Sequence, residues 1–90
     1  MNVKILTQST YASRKHIPML ELYSGPLDII PNIGDHVTPF EGFSAEPVLS
    51  RYFDLEQNTV YIYLPPDYDG GFAIELERRA AKKAREDASV

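Results

Sequence analysis

The alternation of apolar and polar residues between Leu49 and Leu64 constrains this chain more than any other feature. Leu-Ser-Arg-Tyr-Phe-Asp-Leu and Val-Tyr-Ile-Tyr-Leu each repeat with a period of two. A polar break, Glu56-Gln57-Asn58-Thr59, separates them. That pattern predicts a β-hairpin. Folding at the break sets Leu55 opposite Val60 and Phe53 opposite Ile62, an apolar face on which Arg51 meets Leu64. The other face carries Tyr52 opposite Tyr63 and Asp54 opposite Tyr61. Such pairs stabilise a sheet by roughly 0.2–1 kcal/mol each, and a slip of one residue would bury Asp54.

Shorter signals lie on either side. Val3 to Thr7 predicts a first strand, and Ile17 to Tyr23 a second, with Pro18 confining it to an edge or to its first residue. The polar stretch Ser9 to His16, with Arg14 and Lys15, reads as a loop. Gly34 and Asp35 suit a tight turn entering a third strand at Val37, which Pro39 and Gly42 close. Pro47 marks a bend before the hairpin, and Pro65-Pro66 ends it. From Phe72 onward Ala, Glu, Arg and Lys predict a helix, with Glu75 and Arg79 as an i,i+4 pair. A short strand over 72–76 is the other reading of its start.

Five short strands and one helix predict a mainly-β fold. The expected form is a small curled antiparallel sheet or SH3-like barrel over residues 1–71. The charged C-terminal helix, 72–90, belongs to the same domain, which becomes α+β if that helix packs on the sheet.

Composition narrows the function classes. Ninety residues with 43% hydrophobic and 24% charged content suit one globular domain. No cysteine is present, which excludes disulfides, thiolate metal sites and thiol nucleophiles. The net charge of −4 opposes a general binder of phosphate backbones. It is uneven: residues 1–71 hold four basic groups against nine acidic, and 72–90 hold five against four. No window reaches the ~18 apolar residues of a spanning helix, so the expectation is a cytoplasmic protein with no membrane partner.

Chemistry-bearing patterns are sparse. His16 and His36 lack metal-ligand spacing. Asp67-Tyr68-Asp69-Gly70 begins like a calcium loop, but its glycine stands fourth rather than sixth, so it reads as a turn. No serine lies in a nucleophile elbow, and no phosphate-binding glycine pattern occurs. No catalytic residue, cofactor or metal is therefore expected. The basic run Arg78, Arg79, Lys82, Lys83 and Arg85 is balanced by Glu75, Glu77, Glu86 and Asp87, and reads as a solvated helix face.

What remains is a candidate interaction surface: Tyr52, Asp54, Tyr61 and Tyr63 on the outer face of the hairpin, with Arg51 at its rim. Tyrosines offer rigid apolar area with polar tips, as binding surfaces do. Two plainer accounts stand beside this one: cover by the helix through Phe72 and Leu76, and the preference of tyrosine for strands. The pattern Pro31-x-Ile33-Gly34-Asp35-x-Val37, Val48-x-x-Arg51-x-Phe53-Asp54 and Val60-x-Ile62-x-Leu64 resembles small uncharacterised bacterial and phage-borne β-barrel proteins over residues 31–64. That resemblance implies a single curled sheet and carries no activity. The expected function is a non-enzymatic interaction module that binds a protein partner or itself. The alternative is a nucleic-acid-binding barrel that stacks bases on the tyrosines and contacts phosphates through Arg14, Lys15 and Arg51.

Overall fold

Val3, Ile5 and Thr7 alternate with Lys4, Leu6 and Gln8, and the odd set is buried to 0, 6 and 1% exposure. They form strand β1 (Asn2–Gln8) of a computed structural model that describes residues 1–8 and 19–88. The expected loop over Ser9–His16, with Arg14 and Lys15, lies outside the described residues, as does the strand start at Ile17 and Pro18. The other strands are β2 (Met19–Pro26), β3 (His36–Val37), β4 (Glu46–Pro47), β5 (Ser50–Asp54) and β6 (Thr59–Tyr63). One helix, α1 (Gly71–Ala88), follows them, so the strand reading of 72–76 is excluded.

The fold is mostly β, with a four-stranded sheet in the order β2-β1-β6-β5 and a small sheet of β3 and β4. It is a curled open sheet rather than a closed barrel. It is also mixed: β1 runs antiparallel to β2 but parallel to β6, with Val3 beside Val60 and Ile5 beside Ile62. The all-antiparallel expectation fails at this one ladder. Hairpin turns announce antiparallel neighbours, whereas a parallel pair is joined by a long crossover that leaves no local mark.

The hairpin forms, but its register is displaced by two residues. Phe53 pairs with Val60, Tyr52 with Tyr61 and Ser50 with Tyr63. Thr59 joins the strand instead of the turn, which now spans 55–58. Local chemistry accounts for the shift. Asn58 adopts φ 53°, a conformation it tolerates better than most residues. The Gln57 amide donates to Asp54 Oδ1 at 3.1 Å, and Thr59 Oγ1 donates to the Gln57 carbonyl at 3.1 Å. A two-residue shift preserves which side chains share a face.

The core gathers on the face of Val3, Ile5, Val60 and Ile62. Phe40, Val48, Leu64 and Phe72 cover it, and Leu76 packs against it. Phe40, Phe43 and Phe72 form a ring cluster with centroids 5.3–5.9 Å apart, a geometry that adds to simple burial. The loop before it turns where expected. Gly34 takes φ 93°, and the Asn32 amide donates to Asp35 Oδ2 at 2.8 Å.

Helix α1 is begun by a residue outside it. Asp67 is 5% exposed, and its carboxylate accepts the Phe72 and Ala73 amides at 3.3 and 3.1 Å. These are among the amides that a helix start leaves without partners. Asp69 Oδ1 accepts the Gly71 amide at 2.9 Å. The calcium-like stretch is thus a turn whose acids cap a helix. One turn later Glu75 accepts from Arg78 and Arg79, with closest contacts of 2.7 and 2.8 Å. The Arg79 guanidinium also stacks 4.3 Å over the Phe40 ring.

Two outcomes follow. Replacing Asp67 with alanine is expected to cost about 1–2 kcal/mol, read as a drop in Tm of roughly 4–8 °C per kcal/mol. An unchanged Tm would show that the helix start is held by other contacts. The hydrogen bonds from Arg78 and then Arg79 hold the Glu75 carboxyl below its ordinary value of 4.5. A carboxyl so depressed contributes stability that is complete above that ordinary value and fades as the pH falls beneath it. Melts of the wild type and Glu75→Gln should therefore differ at pH 7, and the difference should shrink progressively as the pH is lowered below 4.5. A constant difference would mean that the ion pairs add nothing that titrates.

Candidate functional site

Alternation along β6 sends Val60 and Ile62 into the core and leaves Tyr61 and Tyr63 on the other side of the sheet. The parallel ladder sets Lys4 beside Tyr61 and Leu6 beside Tyr63, while β5 sets Tyr52 opposite Tyr61. Leu6, Tyr63, Tyr61 and Tyr52 thus form one contiguous patch across three strands. The Tyr52 and Tyr61 rings lie 5.9 Å apart, tilted by 47°. Tyr52 is 59% exposed, and Tyr61 and Tyr63 are half-buried against their neighbours.

Helix α1 does not cover them, because Phe72 and Leu76 join the core on the opposite face. Lys4 reaches Glu21 of β2 at 3.6 Å and closes one margin of the patch. The core cluster and the residues packed against it, Phe72 and Leu76 of the helix among them, gather around Val60 and Ile62.

The other two candidate residues separate from the tyrosines. Asp54 shares their face, but its carboxylate is engaged at the hairpin turn by the Gln57 amide. Its position at the start of the turn explains that role. Arg51 lies on the core side, where Nη1 donates to the Pro31 carbonyl at 3.3 Å and the guanidinium stands 5.3 Å from the Phe53 ring centre. The expected pairing of Arg51 with Leu64 gives way to Ile62.

The apolar half of the hairpin departs most from expectation. Val60 and Ile62 are fully buried, yet Phe53 is 44% and Leu55 79% exposed. The reason is position: β5 is the outermost strand, and the covering layer stops short of it. Leu55 has moved into the turn with the register shift. Sequence alternation describes faces but carries no information on which strand ends a sheet.

A groove away from the tyrosines has no counterpart in the sequence pattern. A groove of about 460 Å³ lies at the start of α1, lined by Phe43, Pro65, Pro66, Tyr68 and Phe72, with the Glu46 side chain at its wall. Two prolines and a scattered aromatic set gave no contiguous pattern to find it by. Among the described residues, no three His, Asp or Glu side chains converge as metal ligands would, and no helix is long and apolar enough to cross a membrane.

The described surface can therefore offer aromatic and apolar contact, hydrogen bonding from three phenol groups, and little concentrated charge. Comparison with models of protein families, with curated proteins and with solved structures found no match to this chain.

Proposed function

We propose that this protein is a non-enzymatic interaction module whose tyrosine-bearing sheet face binds a protein partner. One observation carries the reading: Leu6, Tyr63, Tyr61 and Tyr52 form a continuous row across three strands on the face opposite the core cluster. An ordinary exposed sheet face alternates polar residues outward, whereas here the centre is aromatic and the polar groups Lys4, Glu21, Ser50 and Asp54 stand at the margin. An apolar aromatic centre within a polar rim is the anatomy of a protein interface. Tyrosine is enriched among the residues that dominate binding. A cytoplasmic setting accords with a chain that uses no cysteine.

The base-stacking alternative draws on the same rings, since adjacent strands of an open sheet are a known stacking platform. Among the described residues it finds no free cation beside the rings, and Arg14 and Lys15 lie outside those residues. Arg51 occupies the opposite side of the sheet, and Lys4 is paired with Glu21. With a net charge of −4, the protein partner is the stronger reading.

The test is photo-crosslinking in the source cells with a benzoylphenylalanine at position 61, and a control at Ile74 on the helix. A single protein captured in stoichiometric yield from 61 but not from 74 is the expected result. Tyr63→Ala should then weaken that complex by about thirty-fold, the effect of losing an interface anchor of roughly 2 kcal/mol. The fold should persist, because each outward pair contributes only about 0.2–1 kcal/mol. Equal capture from both positions would overturn the reading, and so would affinity for single-stranded oligonucleotides that Tyr61→Ala abolishes.

A further inference from the structure

The two edges of the four-stranded sheet are built differently. At one edge β2 skips Leu22 opposite the step from Ile5 to Leu6, a β-bulge. It also exposes Glu21, ends in Gly25-Pro26 and lies against α1. Bulges, charges, prolines and covering elements are the devices that keep an edge strand from pairing with another chain. At the other edge β5 pairs with β6 in unbroken register and contains no proline or lysine. Its arginine is drawn back onto the Pro31 carbonyl and the Phe53 ring. No described strand pairs with its outer side.

Exposed apolar side chains concentrate at that same edge. Leu49 is 52%, Tyr52 59%, Phe53 44% and Leu55 79% exposed, with side chains on both faces of the strand. The Arg51–Pro31 hydrogen bond seats the 29–33 loop alongside, and it adds Ile29 at 83% and Ile33 at 64%. Taking about 200 Å² for a large apolar side chain, these six residues offer on the order of 700 Å² of exposed surface. A standard interface buries about 800 Å² per partner.

We infer that β5 pairs with β5 of a second copy of this chain, antiparallel about a two-fold axis through Tyr52. Tyr52 is the middle residue of the five in Ser50–Asp54, so an axis there overlaps both strands fully. The resulting register is self-complementary. Tyr52 meets Tyr52, Leu49 meets Leu55, Ser50 meets Asp54 and Arg51 meets Phe53. Apolar residues face apolar residues, the carboxylate faces a hydroxyl, and the guanidinium stays on an aromatic ring, the favourable placement for a cation. No like charges stand directly opposite each other, which would be destabilising. The pairing joins two four-stranded sheets into one of eight strands and brings the two tyrosine patches together across the axis.

This inference concerns the strand edge and stands apart from the partner proposed for the sheet face. The full chain should sediment at twice its 10.2 kDa mass at micromolar concentration. Phe53→Glu should raise the dimer dissociation constant about thirty-fold or more, with an unchanged circular dichroism spectrum. Because the chain has no cysteine, single-cysteine variants read the register directly. Tyr52→Cys should form an interchain disulfide on mild oxidation. A mixture of Leu49→Cys and Leu55→Cys should yield the mixed dimer in preference to either homodimer, and Ile74→Cys should not cross-link.

A chain that stays monomeric at these concentrations overturns the inference. So does a dimer that survives Phe53→Glu or leaves Tyr52→Cys reduced. Loss of capture at position 61 with the dimer intact would remove only the partner reading, and the reverse would remove only this one.

Discussion

The parallel ladder between β1 and β6 is the contact on which the rest of this structure depends. It places Val3 against Val60 and Ile5 against Ile62, and these four carry between 0 and 6% exposure. Without it the chain would hold two separate antiparallel ribbons, β1 with β2 and β5 with β6, and two-stranded ribbons are marginal in water. The ladder extends past the strand ends. The Leu64 amide donates to the Leu6 carbonyl at 2.9 Å and the Asp67 amide to the Gln8 carbonyl at 2.7 Å. Thr7 Oγ1 also donates to the Pro65 carbonyl at 2.6 Å. The Pro65–Asp67 segment is therefore carried along β1 and delivered to the point where the helix must start.

That delivery decides what is covered and what is left open. Asp67 arrives with its carboxylate fixed beneath the first helical amides, and Phe72 then falls against Phe40 and Phe43. The helix consequently lies near β2, and its later turns leave the body: every residue from Glu77 to Ala88 is exposed. The cover reaches β1 and β6 and gives out before β5. Val60 and Phe53 are directly paired, yet one is fully buried and the other is nearly half exposed.

Much of this was legible in the residues. The hairpin, the sorting of its two faces, the turn at Gly34 and Asp35, and the C-terminal helix all rest on short-range rules that a few neighbouring residues satisfy alone. The three tyrosines fell on one face for the same reason, since a two-residue displacement leaves alternation intact. Three things were not legible. The parallel ladder joins the first residues to the sixtieth, and no turn advertises it. The edge position of β5 depends on the order of strands. The capping role of Asp67 depends on where that ladder leaves it. Each is a property of the assembled sheet rather than of a segment, and so Phe53 and Leu55, whose pattern is that of a core, end up in solvent.

The bulged, proline-ended β2 edge also limits how far this sheet can be extended. Residues 49–55 contain four large apolar side chains in seven positions, the kind of segment that in repeated stacking builds cross-β fibrils. Fibril growth requires that each added strand present a fresh receptive edge to the next. Here any molecule joined through β5 turns its β2 edge outward, and that edge is closed to pairing. Lateral addition terminates after a single step, as in a closed two-fold contact rather than an open head-to-tail one. The chain can thus keep an adhesive strand at its surface without the hazard of unlimited polymerisation.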